Sequence, residues 1–239
     1  KNKMQTPTNK DSKLHSKLIS PIRTPDLLQK PLVDSTVKRR VSDVCVSFHK
    51  CIQQWESDNL SSFNTASTLC NLYSQWNLFD DEEEKIEELS ESLQRKYYVK
   101  IALQREDLLK QLKEQRSKLK INIEKLTSLV DNLKVIYYMS AASVQTLQQN
   151  EPENMPVVFT TWTPKMFYIN AKLILNMYTK EYLLKERLFD YFFAFRLKKN
   201  ETTKVGILTQ CISIWLHQPY IEPKIKFLLD SMLVEAELK

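Results

Sequence analysis

Four cysteines and three histidines are the residues that could ligate a metal or attack a substrate, and their spacing suits neither task. Cys45, Cys51, Cys70 and Cys211 form no C-x-x-C pair, and His15, His49 and His217 stand far apart along the chain. A zinc site needs clustered ligands, and a nucleophile needs a base beside it. Gly206 is the chain's single glycine, and a phosphate-cradling loop needs at least two. The acidic run Glu82, Glu83 and Glu84 reads as the solvated start of a helix. No catalytic, cofactor-binding or metal-ligating residue is expected, and the chain is not expected to be an enzyme. Cys45, Cys51 and Cys70 sit among apolar residues at helical spacing and are expected to be buried, reduced thiols.

The chemistry left is recognition, and helices must position it. With one glycine in 239 residues, a fold of many β-hairpins is excluded, because tight hairpin turns need residues that tolerate positive φ. The expected class is all-α: a helical hairpin, a long coiled-coil helix, a C-terminal helical bundle and a disordered N-terminal tail. Residues 1–34 form that tail, basic and carrying Pro7, Pro21, Pro25 and Pro31, with too little apolar surface to offset ordering. Thr6, Ser20 and Thr24 each precede a proline there. Ser20-Pro21-Ile22-Arg23 has the form favoured by cyclin-dependent kinases, so these three are candidate phosphorylation sites, against the reading of a plain flexible tail.

Residues 35–150 come next. Val37, Val41, Val44, Phe48, Ile52 and Trp55 predict one helix, and Phe63, Ala66, Leu69, Leu72 and Trp76 predict a second. Asp58, Asn59, Ser61 and Ser62 between them read as a break, hence an antiparallel pair. From 82 to 149 there is no proline or glycine, and Leu109, Leu112, Arg116, Leu119, Ile123, Leu126, Val130, Leu133 and Tyr137 step by three and four. That is a heptad seam. A helix of this length exceeds what one small body covers, so Leu112, Leu119, Leu126 and Leu133 are candidate partner contacts, and Arg116 is placed to fix register. Residues 151–239 open with a linker at Pro152 and Pro156, then three more helices start near Thr163-Pro164, Val205 and Glu222-Pro223.

Charge is uneven. The formal net charge is +6, yet residues 1–40 hold ten Lys and Arg against three Asp and Glu, so the remainder is close to neutral. A body that grips nucleic acid would carry the excess itself, so no direct nucleic-acid partner is expected. No run is long and apolar enough for a membrane span, and no secretory signal core precedes the first helix. A reducing compartment is expected.

The last region carries the most specific pattern. Phe159-Thr160-Thr161-Trp162 precedes Phe167-Tyr168, followed by Lys180-Glu181 and Leu183-Leu184-Lys185, and later by Trp215-Leu216-His217-Gln218-Pro219-Tyr220 and Glu235. These blocks either pack locally or anchor a partner, since Trp and Tyr dominate interface hot spots. Trp162, Phe167, Tyr168, Trp215, His217, Gln218, Pro219 and Tyr220 are therefore candidate partner-binding residues. The blocks resemble the cyclin-dependent kinase 2-interacting protein family, over residues 159–187 and 212–235 above all. The resemblance implies a non-catalytic adaptor subunit of an AAA+ ATPase complex, acting in large-subunit ribosome biogenesis and genome maintenance and paired with another small helical subunit. It implies as an alternative a factor that binds cyclin-dependent or replication-initiating kinases in replication and checkpoint signalling. Nucleus and cytoplasm are the implied locations.

Overall fold

The computed structural model describes residues 33–81, 91–147, 159–195 and 202–238. The candidate sites Thr6, Ser20 and Thr24, the acidic run Glu82–Glu84 and the linker prolines Pro152 and Pro156 lie outside the described residues. Five helices make up the described chain: α1 (Val33–Asp81), α2 (Glu91–Leu147), α3 (Pro164–Ala194), α4 (Thr202–His217) and α5 (Lys224–Glu235). The class is all-α, as expected.

One expectation fails at the start. The predicted pair of helices at residues 35–80 is a single helix, α1, of 49 residues. The apolar rhythm explains why, because Phe48, Ile52, Trp55, Asn59, Ser62, Ala66, Leu69, Tyr73 and Trp76 alternate steps of four and three without a slip. Asn59 and Ser62 are polar members of an unbroken seam, and both are buried. The residues that read as breakers form a hydrogen-bonded layer against α2. Asn122 donates from Nδ2 to Asp58 Oδ2 at 2.7 Å, and Gln54 Nε2 donates to Asp58 Oδ1 at 3.0 Å. Gln115 Nε2 donates to Ser61 Oγ at 3.0 Å and Thr65 Oγ1 at 2.9 Å. A buried polar group left without a partner costs about 1–3 kcal/mol, so this layer favours one register of α1 on α2 over its neighbours.

The contacts set the direction of every helix. Arg40, Cys51, Thr65 and Tyr73 of α1 meet Met139, Asn122, Gln115 and Arg105 of α2, so the two run antiparallel. Tyr137 stacks on Tyr168 at 6.1 Å, and Arg116 reaches Glu186 and Asp190, so α3 returns antiparallel along the other side of α2. Cys70 lies beside Thr209 of α4, and Ser42 donates to the Ala236 carbonyl just past α5. The architecture is an up-down-up-down bundle whose fourth leg is broken into α4 and α5. Residues from both sides of position 150 share this unit.

The heptad seam faces inward. Leu112, Leu119, Leu126 and Leu133 are all but inaccessible, with α1 on one flank and α3 on the other. Gln115, Asn122 and Ile136 widen the buried stripe toward α1, while Arg116 and Tyr137 turn toward α3. The expectation that these four leucines face another protein is corrected: the chain's own helices supply the cover along this stretch. Thr163 starts α3 with an extended backbone and Pro164 in the first turn, but its side chain makes no capping bond. Its carbonyl accepts the Met166 N–H at 3.0 Å instead.

Candidate interaction surface

The sequence blocks of the last region meet one another. Glu181 and Lys185 stand one turn apart on α3, on the same face as Ile174, Tyr178, Leu188 and Phe192, and both are fully buried. Their Nζ–Oε1 separation is 3.2 Å. Lys185 Nζ also donates to the Trp215 carbonyl at 3.1 Å, which occupies one of the carbonyls left open at the end of α4. Its ammonium lies 5.2 Å from the Trp215 ring centroid. Burial pushes the Lys185 pKa down to about 8, against the opposing pull of Glu181. Glu181 in turn accepts the Tyr220 backbone N–H on Oε2 at 3.1 Å. A single ion pair thus ties α3 to the end of α4 and to the start of the connection into α5.

That connection turns at Gln218, whose φ of 45° lies in the left-handed region. Glycine would adopt this conformation at lower cost. Gln218 has a use for its side chain, because Oε1 accepts the Trp55 Nε1–H of α1 at 3.0 Å. Trp55 meets Tyr178 edge to face at 5.4 Å, so the elbow joins three of the four legs.

A second tie closes the other end. Glu235 of α5 accepts the backbone N–H groups of Thr161 at 3.0 Å and Trp162 at 3.2 Å, together with the Thr161 hydroxyl. Beneath it Phe159, Trp162 and Phe167 form an aromatic cluster with centroids 4.8 and 5.1 Å apart. Lys38 of α1 reaches Glu237 and lies over the Phe159 ring.

The candidate residues therefore divide. Phe167 and Trp215 are core, with Trp215 edge-on to Phe189 at 4.7 Å. Trp162, Tyr168 and Gln218 are half-buried, and His217, Pro219 and Tyr220 are exposed on the elbow. Trp215 thus sits inward while its neighbours stay at the surface. Sequence reasoning named no role for Glu181, Lys185 or Glu235. The first two carried a signal, since a glutamate and a lysine four apart on an otherwise apolar face have only each other to pair with. Cys45, Cys51 and Cys70 fit their expectation, being free and buried, and Cys211 is free and buried as well. Burial raises the Cys45 pKa to about 12, far from thiolate chemistry. Among the described residues no group of His, Cys, Asp and Glu is placed to hold a metal, and no helix is long and apolar enough to cross a membrane.

The outer surface shows where apolar area is left open. Leu93, Val99 and Leu103 of α2 are 52%, 53% and 63% exposed, ahead of the stretch where α3 covers the helix. Phe227 and Val234 share the outward face of α5. The described chain is thus an all-α bundle tied together from within, with exposed apolar side chains on the outward faces of α2 and α5. No family model matches the chain. Curated relatives do: the Homo sapiens cyclin-dependent kinase 2-interacting protein is 28% identical over 219 residues, covering 87% of this chain and 92% of the relative. The proteins of the same name from Bos taurus and Mus musculus are 26% and 27% identical over the same shares. The chain is similar to the cyclin-dependent kinase 2-interacting proteins over most of its length.

Proposed function

We propose that this chain is a non-catalytic protein-binding factor whose partner is a cyclin-dependent kinase, acting in replication and checkpoint signalling in the nucleus and cytoplasm. The observation that supports the reading is the alignment: relatives named for that interaction match over 92% of their own length and 87% of this chain, so the similarity covers most of the chain rather than one block. The exposed faces of α2, α5 and the elbow supply room for contact, and the inward seam supplies the rigid frame beneath them.

The test mixes the purified full chain with purified cyclin-dependent kinase 2, with and without its cyclin, and measures binding by calorimetry. A saturable one-to-one complex is expected. No heat and no co-elution at tens of micromolar would remove the reading. Deleting residues 1–34 then asks whether the tail with Thr6, Ser20 and Thr24 is the dock.

A second reading, the accessory subunit of an AAA+ ATPase assembly with another small helical subunit, draws on the end of α2, where Leu93, Val99 and Leu103 are exposed and no other described helix covers them. Purification of the tagged protein under mild conditions separates the two. Near-stoichiometric AAA+ ATPase is the expected companion on this reading, and its repeated absence defeats it.

A further inference from the structure

α3 carries two seams on opposite sides. The buried one runs from Phe167 to Phe192 through Ile174, Tyr178, Glu181 and Lys185. The outer one runs from Met166 to Arg187 through Ile169, Leu173, Asn176, Lys180 and Leu183, alternating steps of three and four. Every member of it is exposed, and Met166, Ile169, Leu173 and Leu183 are between 39% and 56% open to solvent. A helix with an apolar stripe on each side is found where both sides are covered. The described chain meets α3 through Tyr168, Glu181, Lys185 and Glu186, all away from the outer seam.

Charge identifies the occupant. The carboxylates of α3 are all engaged, Glu181 with Lys185 and the Tyr220 N–H, Glu186 and Asp190 with Arg116. Lys165, Lys172, Lys180 and Arg187 lie on or beside the outer seam, and none of them makes an ion pair among the described residues. The face is therefore apolar and basic. A second copy would set these cations against one another, which opposes self-pairing. A lipid surface takes a helix with a continuous apolar face, and Asn176 and Lys180 interrupt this one midway. In a heptad seam the same two residues have a use, because an Asn or Lys there specifies the partner helix and its register.

We propose that the outer seam of α3 docks an acidic amphipathic helix from another protein. Met166, Ile169, Leu173 and Leu183 pack into its apolar stripe, while Lys165, Lys172, Lys180 and Arg187 face its carboxylates. This assigns a surface to the protein-binding reading above, and it stands whether or not the kinase supplies the helix. One helix laid along this seam covers less than the roughly 1,600 Å² of a standard interface. The complex is therefore weak and salt-sensitive, since exposed charge pairs are screened within about 10 Å at 0.1 M salt.

The probe is a synthetic peptide of about four heptads with leucine at a and d and glutamate at e and g, labelled and titrated with the full chain by fluorescence anisotropy. One-to-one binding is expected at low salt, weakening about tenfold or more at high salt. The same peptide with lysine in place of glutamate should not bind. Leu173→Glu with Leu183→Glu should abolish binding of the acidic peptide. Lys165→Glu, Lys172→Glu, Lys180→Glu and Arg187→Glu together should transfer binding to the lysine peptide. Circular dichroism of each variant checks that the helices persist. No binding at about 100 µM and low salt overturns the proposal, as does equal binding of the two peptides or binding that the variants leave unchanged. A wild-type dimer in sedimentation equilibrium that the leucine variant loses gives the face to a second copy. Binding to vesicles of phosphatidylserine and phosphatidylcholine that this variant loses gives it to a membrane. Either result overturns the docked helix.

Discussion

Residues 112–133 and residues 92–104 belong to one helix and both carry regularly spaced apolar side chains, yet Leu112, Leu119, Leu126 and Leu133 are core while Leu93, Val99 and Leu103 are open. The leucines do not differ. Their neighbours do: α1 and α3 enclose the first, while the second has α1 on one side and solvent on the other. Burial on a long helix is therefore decided by where the returning helices stop. Here α3 stops level with Arg105.

Paired substitutions give the sharpest break. Leu119→Ala removes a fully buried side chain and should cost about 3–5 kcal/mol, from lost transfer energy plus the cavity. Leu103→Ala, on the open face, should stay within about 0.5 kcal/mol. Urea unfolding of the two variants compares them directly. Equal losses would mean that the end of α2 is covered after all.

Next in size is the ion pair that holds the broken leg. Lys185→Met leaves Glu181 buried without its cation and frees the Trp215 carbonyl, a loss of about 3 kcal/mol. Glu181→Leu combined with Lys185→Met should recover most of it, less the unmet Tyr220 N–H at about 1 kcal/mol. A double variant as damaged as the single would show that the pair is no self-contained unit. The inner stretch would then owe its cover to something other than this tie.

Much of this was legible in the sequence, and the misses share one cause. The steps of Leu112 to Leu133, the start at Thr163-Pro164 and the stop before Pro219 are local signals, and the structure has helices where they indicate. Arg116 reads as a residue placed to fix register, and the structure pairs it within the chain with Glu186 and Asp190 of α3. The stretch Asp58 to Ser62 reads as a break because its partners, Gln115 and Asn122, lie more than fifty residues away. A polar residue that breaks a helix and one that bridges two helices look alike until the facing helix is in place. The same holds for the seam: periodicity shows that Leu126 is covered, but not by which helix.

Arg116 sharpens the comparison from the other side, since it marks how far α3 is drawn along α2. Its Nε and Nη2 donate to Glu186 Oε1 and Oε2 at 2.9 and 2.6 Å, and Nη1 donates to Asp190 at 2.9 Å. Fork-shaped pairing of this kind fixes geometry as well as charge. Arg116→Ala should cost about 1–2 kcal/mol in urea unfolding, more than an ordinary surface pair because the contacts are half-buried and charge-assisted. A change near zero would leave the stop at Arg105 to packing alone.

The smallest effect is one of pH, and its sign follows from the same pair. Hydrogen bonding from Arg116 holds the Glu186 carboxyl below its ordinary value of 4.5. In the unfolded chain the carboxyl takes its proton near that ordinary value, while in the fold it takes it only at lower pH. The pair therefore supports the fold above about pH 4.5, and that support is lost as the pH falls through the lowered value. Glu186→Gln should be modestly less stable at neutral pH and show a flatter decline in acid, with the two curves converging at the lowest pH. Thermal unfolding followed from pH 7 to pH 3 measures this. Parallel curves would mean that Glu186 is no better paired in the fold than in the open chain. The register of α3 on α2, and with it the boundary between covered and open leucines, would then rest on the aromatic contacts of Tyr137 with Tyr168 and of Arg116 with the Phe189 ring.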